Sequence, residues 1–257
     1  MFSRKDIIVL GMMIFALFLG AGNIIFPPME GYTAGQHWAT AALGFILTGV
    51  LMPFITLVVV SILGRGEELT RDLPKWAEVT FLVTLYLVIG STFAMPRITN
   101  VAYEMALVPL EIVTDTPANH LIFAVVFNII AMLFMLKPNT IISSVGKFMT
   151  PALLVLLVVV TVTVFMSPLS EIAAPSKSYA DSSALTTGLI SGYQTMDVLA
   201  AIAFGGIVAR ALSAKNVTEP QKIMRYTVSA GCISVVLLAA LYFSLFYLGA
   251  TSDQVAQ

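Results

Sequence analysis

Two short stretches set glycine and polar residues inside long apolar sequence. The first is Phe18-Leu19-Gly20-Ala21-Gly22-Asn23-Ile24-Ile25-Phe26-Pro27-Pro28. Glycine costs a helix about 1 kcal/mol relative to alanine, so two beside an asparagine favour local unwinding. Unwound backbone frees N–H and C=O groups that must find partners. Freed amides at a helix start suit an anion, and freed carbonyls at a helix end suit a cation. The second stretch is Ser191-Gly192-Tyr193-Gln194-Thr195-Met196-Asp197, the most polar run inside any apolar segment. The chemistry these residues point to is the binding of ions and of a ligand's charged groups.

Each residue also has an ordinary structural reading. Gly20 and Gly22 could be close-packing glycines at a helix crossing. Asn23 either ligates a substrate or ion, or caps a second half-helix. Tyr193, Gln194 and Thr195 either line a pocket or make inter-helical hydrogen bonds. Asp197 either gates or couples, or is the N-cap of a second half-helix. Both readings of Asp197 require a break beside it. Phe18, Phe26, Phe93 and Phe204 either enclose an apolar group or face lipid. Arg97 either pairs with Asp197, or pairs with Glu104, or reaches the outer interface. His37 and His120 are expected as solvated interface residues, with proton coupling the alternative. Pro27-Pro28 is expected to redirect the chain near the outer face.

The elements that must carry these residues follow from composition. Of 257 residues, 58% are hydrophobic and 11% charged, against about 25% charged in an ordinary soluble domain. Mean hydropathy is +0.95. This is the pattern of a protein that crosses a lipid bilayer several times. A net charge of −1 supplies no basic field for nucleic acid. The single cysteine, Cys232, cannot form an internal disulfide and is expected as a small buried packing residue. Arg4-Lys5 before an apolar run resembles a signal peptide, but residues 7–29 are too long for one. That run is a retained first span.

A helix needs about 20 apolar residues to cross the hydrocarbon core. Seven candidates fit: 6–29, 38–63, 76–106, 118–136, 143–166, 185–211 and 218–248. The third is long, and tilted or extended beyond the bilayer. Lysine and arginine then orient the chain. Arg4, Lys5, Arg65, Arg71, Lys75, Lys137, Lys147, Arg210, Lys215, Lys222 and Arg225 fall on one side of an alternating chain. The opposite loops hold Lys177 with Glu30, His37, Glu111, Asp115, His120, Glu171 and Asp181. The N-terminus is expected in the cytoplasm.

The fold class predicted is therefore an all-α integral membrane protein with spans one and six discontinuous. The two spans run in opposite directions, five spans apart, and break near the midplane. That pattern marks an inverted-repeat secondary transporter, with ligands bound where the breaks meet. Residues 1–166 would form the first repeat and 185–257 the start of the second, in one membrane domain. A repeat of five spans needs ten, so the chain is expected to be the N-terminal portion of a longer protein. A native seven-span protein is the alternative.

The run Met13-Ile14-Phe15-Ala16-Leu17-Phe18-Leu19-Gly20-Ala21-Gly22-Asn23-Ile24-Ile25-Phe26-Pro27-Pro28 resembles the bacterial branched-chain amino acid carriers, the liv cation symporter family. The similarity continues through Gly90-Ser91-Thr92-Phe93-Ala94-Met95-Pro96-Arg97 and through residues 188–206. The resemblance implies a leucine-transporter-type fold of about twelve spans in the bacterial inner membrane. It implies uptake of leucine, isoleucine and valine coupled to Na+, or to H+ in some members, with no other cofactor. It implies that backbone amides of Gly20-Ala21-Gly22-Asn23 hold the substrate carboxylate. It also implies that carbonyls of Ala16 and Leu19 contribute to a sodium site, and that Ser91 or Thr92 supplies a third-span hydroxyl near the carboxylate.

Other classes fit less well. No His-Glu-x-x-His pair, no Gly-x-Ser-x-Gly nucleophile and no paired aspartates point to an intramembrane enzyme. No Gly-x-x-x-x-Gly-Lys-Ser/Thr sequence points to ATP as the energy source. A channel lacks repeated pore-lining rings, and a seven-span receptor would need the opposite orientation. Within transporters, the alternative is another neutral amino acid on the same fold.

Overall fold

In the computed structural model, which describes residues 3–108, 110, 113–136, 150–166, 170–180 and 183–252, every regular element is helical. Glu111, Lys137, Lys147, Asp181, the start of the fifth apolar stretch at 143–149 and the tail 253–257 lie outside the described residues. By its contacts the chain divides into two units. One comprises Met1–Glu78 with Leu153–Gln257, and the other Val79–Ala152.

The first unit opens with a reciprocal cap. The Ser3 hydroxyl accepts from the Asp6 amide, and the Asp6 carboxylate accepts from the Ser3 amide. Helix α1 (Arg4–Phe18) ends at Leu19, and α2 (Ala21–Ala34) restarts after an extended Gly20. The break is thus Leu19-Gly20. Ala21, Gly22 and Asn23 form the first turn of α2 and are not unwound, because the Asn23 amide closes that turn on the Gly20 carbonyl at 3.1 Å. Pro27 and Pro28 do not redirect the chain either. Both lie inside α2, and the turn comes at Gly35, whose φ of 49° suits glycine.

A tight turn over Gly35–His37 leads into α3 (Trp38–Ile46). A wide i→i+5 turn at Leu47–Leu51 joins it to α4 (Met52–Leu63). Pro53 has no amide to donate and crowds the preceding turn, which accounts for the widening.

Helix α5 (Lys75–Leu87) leads into the second unit, which holds α6 (Ala94–Ala106) and α7 (Pro117–Met135). The third apolar stretch is not one continuous rod. It widens at Val88–Thr92, where Gly90 leaves helical geometry. His120 is not simply solvated. Its ring stacks on Tyr103 with centroids 4.4 Å apart and shares a 3.1 Å hydrogen bond with Asn100.

The first unit resumes in α8 (Thr150–Met166) and continues through α9 (Lys177–Ala180), α10 (Ala184–Tyr193), α11 (Asp197–Ser213) and α12 (Pro220–Ala250). Its most extensive pairings are α3 with α10, α2 with α12, α4 with α11 and α1 with α12. Lipid supplies no hydrophobic drive between helices, so close approach through small residues matters. A Cβ on Gly188 would overlap the Ala41 carbonyl, and one on Gly44 would overlap the Leu185 carbonyl. A Cβ on Gly249 would overlap the Pro28 carbonyl, and one on Gly31 the Phe246 carbonyl. Phe45 packs edge-on against Tyr242 and Phe246 in the centre of this unit.

Cys232 is exposed, not buried. The inward stripe of α12 runs through Ile223, Thr227, Ala230, Ser234, Leu238, Leu241 and Leu245, and position 232 falls on its other side.

Among the described residues, four helical runs are long and apolar enough to cross a bilayer: Gly22–Leu63, Lys75–Ala106, Pro117–Phe134 and Pro220–Ala250. The pair Ala184–Tyr193 with Asp197–Ser213, bent by 44°, makes a fifth.

Candidate ligand-binding site

The two breaks meet inside the first unit. Asn23, on the first turn of α2, donates from its side-chain amide to the Asp197 carboxylate and to the Tyr242 hydroxyl, both at 2.5 Å. Asn23, Asp197 and Tyr242 are 2%, 7% and 0% exposed, so the three form a polar knot in an apolar interior. Burying a carboxylate is costly unless hydrogen bonds compensate, and Asn23 supplies one. Neither Asn23 nor Asp197 caps a half-helix. The cap position of α2 is Gly20 and that of α11 is Met196, and neither helix has a side-chain cap bond. Asp197 is the first residue of α11, where the helix dipole favours its negative charge.

The second break is short and strained. The chain tightens as Gln194 bonds back to Ile190, Thr195 to Gly192 and Met196 to Tyr193. Met196 then takes a left-handed φ of 62°, which is uncommon for a residue with a side chain. Such strain persists only where surrounding structure holds it, and it concentrates at functional sites.

With its amide spent on Asp197 and Tyr242, Asn23 turns its carbonyl oxygen toward the first break. A Cβ at Gly20 would come within 3.3 Å of it. The backbone at this break departs from helical bonding. The Gly20 amide turns back to the Phe18 carbonyl at 2.9 Å, so Ala16 loses the donor that a continued helix would give it. The Asn23 amide goes to Gly20, so Leu19 loses its donor too. The first amides of α2 and of α11 have no intrahelical acceptor. Asn23 and Asp197 thus sit in the first turns of α2 and α11, with Asn23 just past the end of α1. Beside the knot, Phe18 and Phe204 meet edge to face at 5.8 Å.

The other expected residues are placed differently. Tyr193 is 56% exposed and Gln194 is also exposed, so neither is enclosed with the knot. The Thr195 hydroxyl is spent on the Gly192 carbonyl. Ser91, Thr92 and Phe93 are exposed and lie at the Gly90 break of the second unit. Phe26 is half-buried and packs against the core of the first unit.

Two groups of polar residues escaped the sequence reading. Tyr242 lies in Leu241-Tyr242-Phe243-Ser244-Leu245-Phe246-Tyr247, where nothing distinguishes it from Tyr247. Glu30 appeared only as an outer-loop acid. It accepts from the Ser191 hydroxyl at 2.6 Å and from the Tyr179 hydroxyl. Burial, and then the bond to Glu30, push the Tyr179 phenol up, so it stays protonated and remains a donor.

A family profile described as "Branched-chain amino acid transport protein" matches residues 3–257. The chain is 75% identical over 257 residues to the branched-chain amino acid permease BrnQ of Haemophilus influenzae, covering 100% of this chain and 59% of that one. It is 40% identical over 252 residues to the branched-chain amino acid transport system 2 carrier protein of Pseudomonas aeruginosa, covering 98% and 57%. It is 39% identical over 249 residues to the BrnQ permease of Escherichia coli, covering 96% and 56%. These relatives are named as permeases and carriers, which are transporters and not enzymes. No solved structure matches. The chain spans somewhat more than half the length of the relatives it matches. With a profile that runs from residue 3 to residue 257, the chain belongs to the branched-chain amino acid transport protein family.

Proposed function

We propose that the chain forms the first part of a secondary symporter that takes up leucine, isoleucine and valine across the bacterial inner membrane, driven by a Na+ or H+ gradient. The observation that carries this reading is the Asn23–Asp197–Tyr242 knot, which joins two helix breaks 174 residues apart. The seven apolar stretches are its spans, with the N-terminus in the cytoplasm, α1 and α11 as inner half-helices, and α2 and α10 as outer ones. Residues 1–166 are the first of two inverted repeats, and the second starts near 185.

The substrate carboxylate lies against the amides of Ala21 and Gly22 at the positive end of α2. The Asn23 carbonyl oxygen accepts from its ammonium group. The aliphatic tail lies toward Phe18 and Phe204. The Ala16 and Leu19 carbonyls take the coupling cation, and Asp197 couples or gates through Asn23. Transport alternates as the broken helices rock against the remaining scaffold.

The test is uptake of labelled leucine, isoleucine and valine into vesicles carrying the intact protein. Imposed Na+ and H+ gradients are compared with no gradient. Stimulation by one of them is expected, and stimulation by neither sinks the symport reading.

A further inference from the structure

We propose that Glu30 is a positioning residue for transport, fastening the outer halves of both broken helices and the segment 170–180 into one body that moves as a unit. This rests on the transporter reading above, which places α2 and α10 toward the outside.

Glu30 is on α2, seven residues after Asn23, so the two lie on nearly the same helical face. Its two carboxylate oxygens are used by two different elements. Oε1 accepts from Ser191 of α10 at 2.6 Å, and Oε2 accepts from Tyr179 of α9. Both donors are buried, at 5% and 3% exposure. A charged acceptor makes such bonds stronger than neutral pairs. The segment leading to α9 is laid along the end of α2 by backbone as well. The Ser176 amide donates to Thr33 at 2.9 Å, and the Gln36 amide donates to Ala173 at 3.1 Å. Gly35 has no Cβ where the Ala173 carbonyl passes, and any side chain there would collide with it. At the other end the Ser170 hydroxyl donates to the Thr251 carbonyl at 2.8 Å, tying the segment 170–180, a strap, to the end of α12.

The inner halves are joined differently. Asp6 of α1 meets Lys215, just beyond α11, at 3.3 Å, with the lysine side chain 62% exposed. Exposed pairs of this kind contribute little. The geometry therefore holds the outer halves together through a buried carboxylate, whereas the ion pair between the inner halves is exposed. Substrate entry from outside then requires α2, α10 and the strap to move together, and Glu30 sets their relative position without touching the ligand.

The experiment uses the intact transporter containing this chain, with turnover expressed per molecule in the membrane. Tyr179→Phe and Ser191→Ala each remove one donor and leave the fold's volume nearly unchanged. Each is expected to lower turnover by about tenfold to 150-fold, the size of one lost hydrogen bond to a charged group, with KM for leucine unchanged within about twofold. Combining either with Glu30→Ala adds no further loss beyond Glu30→Ala alone, because all three act through one contact. Fewer molecules in the membrane with normal turnover would make Glu30 a plain structural staple and overturn the proposal. Additive losses would overturn it as well. A second arm joins Gln36→Cys to Ala173→Cys by oxidation, with the bond verified by a gel shift. A body that moves as a unit keeps wild-type turnover when so linked, and a block on oxidation overturns the proposal even if the point variants fold poorly. Wild-type protein without uptake under any gradient sinks the transporter reading and the latch together. Normal wild-type uptake with unaltered variants sinks the latch alone.

Discussion

Asn23 and Asp197 share one hydrogen bond across 174 residues of chain, and Asn23 adds a second to Tyr242 across 219. At this scale the asparagine has two faces with different work. Its amide nitrogen satisfies a buried carboxylate, and its oxygen is left toward the break. Asn23→Leu keeps the volume and removes the donor. Bonds to charged groups contribute about 1.5–3 kcal/mol, so the variant is expected to lower stability by about that amount and to abolish leucine binding. Thermal unfolding in detergent with and without leucine reads both effects, and an unchanged melting point together with intact binding would remove Asn23 from the site. The asparagine and the aspartate were each legible in the sequence, because a polar group in a span is conspicuous against lipid. Their pairing was not, since either could have capped its own half-helix.

Helix pairs in the first unit touch through backbone, and glycine is what permits it. The two kinds of glycine in this unit give opposite expectations for the same substitution. At Gly249 a Cβ overlaps the Pro28 carbonyl, so Gly249→Ala forces α2 from α12 and is expected to cost about 1–3 kcal/mol. At Gly206 the nearest atom to a new Cβ is the Gly64 carbonyl oxygen at 3.5 Å, an ordinary contact. Gly206→Ala is therefore expected to be neutral or to stabilise by up to about 1 kcal/mol through helix propensity. Chemical or thermal unfolding of the two variants side by side checks the contrast, and a larger loss at Gly206 than at Gly249 would contradict it. Element boundaries at the two conspicuous breaks were readable, since Gly20 and the Ser191–Asp197 stretch both stop helices. The break at Gly90 and the wide turn before Pro53 were not, because a glycine or a proline inside an apolar run marks a weakness without saying whether the helix yields there. The opposite error occurred at Pro27-Pro28, which α2 absorbs.

For the whole molecule, the orientation drawn from lysine and arginine makes a simple statement about sides. With Cys232→Ser as background, a cysteine at Lys177 is expected to react with an impermeant thiol reagent in intact cells. A cysteine at Lys215 is expected to react only after permeabilisation. The reverse pattern would invert the topology and place α1 and α11 on the outside. The same orientation makes the α2–α10–strap body external, so this measurement also bears on Glu30.

The sequence alone determined that this chain lives in lipid, where its apolar stretches lie, and that two of them are interrupted by groups lipid does not tolerate. Those are local properties, set by hydropathy, helix length and the cost of glycine, and they can be read one residue at a time. Tertiary structure decided which interruption faces which. It chose Tyr242 from among the tyrosines of α12, closed α2 directly after Gly20, turned Tyr193 outward, and gave Glu30 to Ser191 and Tyr179. Such choices depend on buried polar groups finding partners across long chain separations, and only the packed helices bring those partners within hydrogen-bond reach.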